Sequence, residues 1–215
     1  MKSERISLDQ LCAPGSDSLL QELAGRINQG AVFVYPTETI YGIGGSTKIP
    51  SVSSAIYEAK KRPLSSSMIH LAGKTEVFRS LLDNAHSAEQ FLAKTFWPGL
   101  LTIVIASEDN PGGTAIRVSD HPCIKRLYDV LDIPIYSTSA NVSGEPYNPD
   151  PDYIYGTFSS CSDFMIDAHV LPPSPPSTVV KFADQGTLDI LREGVLSKAA
   201  IRNAFETAGY TVTVR

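Results

Sequence analysis

The stretch LLTIVIASEDNPGGTAIRVS, residues 100–119, decides the fold class. LLTIVIAS (100–107) is the strongest strand pattern in the chain, apolar and rich in β-branched residues. EDNPGGT reads as a turn, and AIRVS (115–119) can pair back as the second arm of an antiparallel hairpin. Around this hairpin, strand and helix patterns alternate. A hairpin set into such an alternation predicts an α/β fold with a twisted mixed sheet of parallel and antiparallel strands, not a purely parallel doubly wound one.

Outward from the hairpin, DSLLQELAGRINQ (17–29) places Leu19, Leu20, Leu23 and Ile27 on one helical face, with Gly30 as terminator. AVFVY (31–35) is a short buried strand, and TETIYGIGG after Pro36 reads as a glycine-rich turn. PSVSSAIYEAKK (50–61) is helical until Pro63 stops it. SMIHLA is a strand, TEVFRSLLD and HSAEQFLAKTF are helical, and HPCIKRLYDVLD precedes the strand IPIYSTS. A Pro-rich polar stretch, 147–152, leads to DFMIDA; STVVKF and TLDILREG form a strand pair, and SKAAIRNAFETAGY is a helix before the edge strand TVTVR. No linker divides the chain, which reads as one domain over 1–215, its core about 15–196 and a C-terminal helix and strand over 197–215.

Composition narrows the functional classes. With 42% hydrophobic and 19% charged residues in 215, the chain is ordinary for a globular protein. It has no run of about 18 apolar residues, so no membrane span is expected. The polar start MKSERISLDQ lacks the apolar stretch of a signal peptide, and a cytoplasmic location is expected. Cys12, Cys123 and Cys161 are scattered, as are His70, His86, His121 and His169, so neither a disulfide framework nor a zinc site is indicated. The net charge, 18 − 23 = −5, argues against extended nucleic-acid binding as the main activity.

Three places put polar chemistry at the ends of buried strands, where open α/β sheets bind ligands. YPTETIYGIGG offers the hydroxyls of Thr37, Thr39 and Tyr41, yet matches no standard phosphate loop and by itself reads as a plain turn. EAKKRPLSSSM ends a helix with Lys60, Lys61 and Arg62, either a solvated helix end or an inward anion clamp followed by serines that reach phosphate oxygens. STSANVSGEP (137–146) is either a polar turn or the floor of a ligand site. Arg117 and Arg192 sit in apolar runs and need an anionic partner, either a protein carboxylate such as Asp120, Glu145 or Glu193, or a ligand.

PTETIYGIG, AKKRP, FWPGLLTIVI, AIRVSDHP, STSANVSGEP and STVVKF…ILREG occur in one fixed order. In this the chain closely resembles the YrdC-type threonylcarbamoyl-AMP synthases, over roughly Leu19–Gly194. The resemblance implies a YrdC-like fold in its short single-domain form. It implies an enzyme, a nucleotidyltransferase that joins L-threonine, bicarbonate (as CO2) and ATP into threonylcarbamoyl-AMP and pyrophosphate for the t6A37 modification of ANN-decoding tRNAs. Mg2+ is expected on the phosphates, and a separate threonylcarbamoyl transferase complex is the expected downstream partner. A weak direct contact with tRNA is compatible with it.

By the same resemblance the K-x-R and S-x-N signature is Lys60, Arg62, Ser139 and Asn141, the catalytic set. Threonine contacts fall on Thr37, Thr39, Tyr41, Arg117, Ser139 and Ser177. ATP contacts fall on Lys60, Arg62, Ser66, Asn141, Arg192 and the Pro149 backbone. Lys60 and Arg62 are expected to face a water-filled cavity. Many relatives carry a histidine near His70, but a one-residue offset turns it to the other side of its strand, so a satisfied or exposed histidine is expected there. The rival readings are a double-stranded RNA or tRNA binder and a paralogue without synthase activity. Retention of both signature halves speaks against the second. The hydrogenase-maturation relatives carry acylphosphatase and zinc-finger segments that have no counterpart here.

Overall fold

The computed structural model of the chain describes residues 3–63 and 66–215. Ser65, one of the serines expected to reach phosphate, lies outside the described residues. The chain begins with β1 (Glu4–Ser7), α1 (Leu8–Cys12), α2 (Asp17–Asn28), β2 (Phe33–Pro36), β3 (Tyr41–Ser46) and α3 (Pro50–Ala59). There follow β4 (Ile69–Ala72), a 3-10 turn (Thr75–Phe78), α4 (Arg79–Asp83), α5 (Ser87–Phe96), β5 (Leu101–Ile105) and β6 (Thr114–Val118). The rest is α6 (Pro122–Leu127), β7 (Ile135–Ser139), α7 (Pro151–Phe158), β8 (Phe164–Asp167), β9 (Thr178–Asp184), β10 (Thr187–Arg192), α8 (Lys198–Thr207) and β11 (Thr213–Val214).

The strands form one mixed sheet in the order β1-β8-β2-β3-β7-β4-β6-β5-β9-β10-β11. The expected hairpin is there: β5 and β6 are antiparallel, with Ile103 opposite Ile116 and Val104 opposite Ala115. β9 and β10 form the expected strand pair, which is antiparallel, and β11 lies at the edge of the sheet. One core cluster joins β2, β5, β6 and β8 to α2, α5, α6 and α8. A second, smaller one packs Val52 and Ile56 of α3 and Ile154 and Phe158 of α7 against Val34, Tyr41 and Ile43.

The glycine-rich segment expected to be a turn is in fact an interior strand. β3 pairs antiparallel with β2 on one side and β7 on the other, and all six of its residues are buried. Its glycines answer to close approach rather than to turning. A Cβ on Gly44 would lie 1.8 Å from the Tyr136 carbonyl oxygen, and one on Gly45 would lie 2.5 Å from that of Ala31. Glycine inside a strand often marks such contacts. Three further elements differ from expectation. α7 emerges from the Pro-rich stretch, capped by Asp150, whose carboxylate accepts from the Asp152 N–H, with Pro151 at the first turn. β1 and α1 arise from the polar N-terminal segment, where Ser7 and Gln10 form a capping box.

Candidate active site

A cavity of about 310 Å³ opens over the middle of the sheet. It draws its walls from the β2–β3 turn, the segment after α3, the end of β7, the strands β5 and β6, and the adjoining ends of β9 and β10. Among the described residues three arginines line it, Arg62, Arg117 and Arg192, and no aspartate or glutamate does. Hydroxyl groups fill much of the rest of the wall. That combination suits a polyanionic ligand whose charge must be neutralised and oriented.

The β2–β3 turn presents two buried threonines. The Thr37 hydroxyl donates to the Ile40 carbonyl at 2.7 Å and lies 3.2 Å from that of Thr39. Thr37 is thereby committed to the turn, and the Thr39 hydroxyl is the freer of the two. Tyr41 also reaches the cavity wall, but its hydroxyl is spent elsewhere. It donates to the His169 carbonyl at 2.8 Å and accepts from the Ala168 N–H at the same distance, and burial raises its pKa. Its phenol is therefore not available to threonine, a correction to the sequence expectation.

Arg117 is nine-tenths buried or more and held on two sides. Its Nε donates to the Gly99 carbonyl at 2.8 Å and its Nη2 to Glu38 at 2.7 Å. The carboxylate sought for this arginine is thus Glu38, not Asp120, Glu145 or Glu193. Burial lowers the Arg117 pKa and Glu38 partly restores it. Arg62 donates to the Thr138 hydroxyl at 2.5 Å and to the Ser67 carbonyl at 2.8 Å. Arg192 donates to the Ser177 carbonyl at 2.9 Å, while the Ser177 hydroxyl lies 2.9 Å from that of Thr102. Burial and the nearby Arg117 charge both lower the Arg192 pKa. Among the described residues neither Arg62 nor Arg192 forms an ion pair, so both keep charge for a ligand.

Lys60 departs most from expectation. It caps the C-terminus of α3, the residue is only 2% exposed, and it is not part of the cavity wall. Its ammonium donates to the carbonyl oxygens of Ser139 and Asn141, the latter at 2.6 Å. Burial, and secondarily the Arg62 charge, lower its pKa to about 8. Asn141 also lies outside the wall. Its Oδ1 accepts from the Ser139 hydroxyl at 2.5 Å, and its Nδ2 donates to the Glu145 carbonyl at 2.7 Å. Lys60 and Asn141 therefore knot the tip of β7 from behind and leave Ser139 on the wall. Neither touches the cavity as the sequence suggests, because the acceptors that take up their donors lie within the chain itself.

Ser66 and Pro149 also fall outside the wall. The Ser66 carbonyl accepts from the Tyr57 hydroxyl at 2.7 Å, and Pro149 is exposed. His70 lies half-buried in an edge-to-face contact with Tyr136 and is not part of the wall; among the described residues it is neither the exposed nor the hydrogen-bonded histidine expected. The residues that the sequence does not single out are Glu38, Thr138 and Ser137. Glu38 stands inside PTET between two threonines, and that adjacency is the one signal that would have found it.

Residues 26–194 match the model of the Sua5/YciO/YrdC family, described as telomere recombination. The chain belongs to that family. Among curated relatives, the threonylcarbamoyl-AMP synthase of Bacillus subtilis (strain 168) is 30% identical over 86% of this chain and 56% of its own length. That of Pyrococcus abyssi (strain GE5 / Orsay) is 32% identical over 80% of this chain and 53% of its own length. The chain thus spans about half the length of these Sua5/YciO/YrdC relatives. The crystal structure of P. abyssi Sua5 complexed with L-threonine superposes with a TM-score of 0.83 at 25% identity, covering 100% of this chain and 63% of that one. E. coli YciO shares the fold at a TM-score of 0.74 and 22% identity, over 91% of this chain and 97% of that one. The expected mixed α/β fold of the family is therefore the fold of this chain. No helix of the described residues is long and apolar enough to cross a membrane.

Proposed function

We propose that this chain is an L-threonylcarbamoyladenylate synthase. The observation that carries the proposal is the cavity wall itself, which among the described residues has three arginines, a set of hydroxyls and no carboxylate. Relatives named threonylcarbamoyl-AMP synthase support it, among them one from Vibrio cholerae that aligns with this chain over 97% of its own length at 28% identity.

The chemistry asks for such a wall. The amine of threonine takes up CO2 as a carbamate, a carbamate oxygen attacks the α-phosphorus of ATP, and pyrophosphate leaves. The threonine carbamate and ATP are both anionic, so the protein contributes by holding them in line and offsetting their mutual repulsion. Arg117 and the Thr39 hydroxyl form the amino-acid end, where a guanidinium suits a carboxylate. Arg62 and Arg192 stand on the remaining wall and take the phosphates. Ser139 and Ser177 supply hydroxyls between the two ends. Lys60 and Asn141 act on the reaction by fixing the backbone under Ser139, not by touching phosphate.

Mg2+ would enter as part of the nucleotide. The described residues contain no cluster of three or more His, Cys, Asp or Glu that could hold a metal, so its protein-side ligands would be few. The product would pass to a threonylcarbamoyl transferase complex acting on tRNA. The cytoplasm, where ATP and tRNA meet, is the compartment the reaction calls for.

The test is pyrophosphate release by purified protein supplied with ATP, Mg2+, bicarbonate and L-threonine. Omission of threonine or of bicarbonate should each stop it, since the carbamate needs both. Serine should be the poorer substrate, because the missing methyl forfeits apolar contact worth roughly 1–3 kcal/mol. Release that ignores threonine, or that appears only with RNA, overturns the assignment in favour of an RNA-binding protein or a paralogue with another activity.

A further inference from the structure

We propose that Glu38 is the positioning residue for the amino-acid end of the cavity, its one carboxylate joining the turn that carries Thr37 and Thr39 to the strand that carries Arg117. This rests on the synthase reading above and adds a residue that does not itself line the wall.

Glu38 makes three contacts, all to the same short piece of chain. Its Oε2 accepts from Arg117 Nη2 at 2.7 Å and from the Ser119 hydroxyl at 2.9 Å, and its Oε1 accepts from the Asp120 N–H at 2.6 Å. The pair is largely shielded from water, with 6% of the Arg117 side chain and 18% of that of Glu38 exposed. Ser119 is fully buried and in turn accepts from the His121 N–H at 3.2 Å, which ties the carboxylate to the start of α6. The other acids near this end are engaged elsewhere or lie too far out. Asp120 pairs with Lys125 at 3.0 Å and both are exposed, while Glu193 accepts from the Lys198 N–H at 2.8 Å.

The consequence for Arg117 is geometric. With Nε on Gly99 and Nη2 on Glu38, the plane of the guanidinium is fixed from two directions, and Nη1 has no partner among the described residues. A substrate carboxylate would thus meet a donor already oriented, without having to order a flexible side chain. The consequence for the turn is similar. Thr37 and Thr39 flank Glu38 directly, so the same carboxylate sets their distance from Arg117. Among the described residues nothing comparable reaches the phosphate end, where Arg62 is held by Thr138 and Ser67, and Arg192 by Ser177. Loss of the Glu38 charge should therefore disturb recognition of threonine and leave that of ATP in place.

The experiment is steady-state pyrophosphate release by the full chain, with threonine and ATP varied separately, for wild type, Glu38→Gln and Ser119→Ala. Glu38→Gln keeps the shape and loses the charge. It should raise KM for threonine about tenfold or more, as expected for loss of a charge-assisted contact, while KM for ATP and kcat at saturating threonine stay near wild type. Ser119→Ala removes one of the three contacts and should shift KM for threonine in the same direction by less. In an Arg117→Lys background, Glu38→Gln should add little, because the two act as one unit. A folded Glu38→Gln with wild-type KM for threonine overturns the proposal, as does a parallel rise in both KM values. Should Glu38→Gln not fold, Ser119→Ala decides by the same split. Wild-type protein that releases pyrophosphate without regard to threonine sinks the synthase reading, a different failure from an active enzyme indifferent to Glu38.

Discussion

Lys60 should make the stability of this protein rise with pH between about 8 and 10.5. The ammonium sits almost out of reach of water with carbonyl oxygens as its partners and no carboxylate beside it, and its pKa falls from 10.5 to about 8. A lowered lysine pKa means that the unfolded chain binds the proton more tightly than the native one. Between the two values the unfolded state is protonated and the native state is not, so the free energy of unfolding increases as pH rises through this window. Below about 8 both states carry the charge, and the native state bears the full cost of burying it. At about 1.4 kcal/mol per pH unit, the gap between 10.5 and about 8 amounts to roughly 3 kcal/mol. Tyrosines and cysteines titrate in the same range, so the comparison must be with Lys60→Met, which fills similar space without the charge. Urea unfolding followed by fluorescence of Trp97, the one tryptophan and a buried one, gives both stabilities at each pH. With a slope near 3 kcal/mol per molar, the midpoint of wild type should move up relative to Lys60→Met by about 1 M between pH 7.5 and 10.5. A difference between the two proteins that stays flat across that range would show that the ammonium is solvated and refute the reasoning.

Other perturbations report on other parts of the structure. Arg117→Ala should weaken threonine by about ten- to a hundredfold, since a charge-assisted contact is worth about 1.5–3 kcal/mol, and leave the binding of a nonhydrolysable ATP analogue near wild type; titration with each ligand checks it. The same variant strands Glu38 beside the cavity, so its melting temperature should also fall, unlike that of Arg62→Ala, whose side chain is only half-buried. Arg192→Ala should show the opposite ligand preference, losing ATP affinity by calorimetry while threonine still binds. Gly44→Ala should destabilise by about 3 kcal/mol or more in chemical unfolding, because the new methyl meets backbone at 1.8 Å and has no side chain to push aside.

What could be read from the residues alone was whatever neighbouring residues settle among themselves. The β5–β6 hairpin follows from two apolar runs and the turn between them, α2 from the spacing of its leucines, and the site from signature groups that occur in a set order along the chain. Arg62, Arg117, Ser139 and Ser177 could be assigned to one cavity in that way, and the tertiary structure does bring them together. What it alone decided concerns contacts between residues far apart in sequence. β3 hides behind glycines whose purpose becomes visible only when Tyr136 and Ala31 arrive against them. Lys60 carries the same charge in a solvated helix end as in a buried knot, and only the carbonyls of Ser139 and Asn141, some 80 residues on, turn it away from the cavity. Glu38 finds Arg117 79 positions later, across a sheet order in which β3 and β6 are separated by β7 and β4. Side-chain chemistry names the groups that can act, but their direction depends on which partner satisfies each donor first, and for buried donors that partner is supplied by the packing of distant strands.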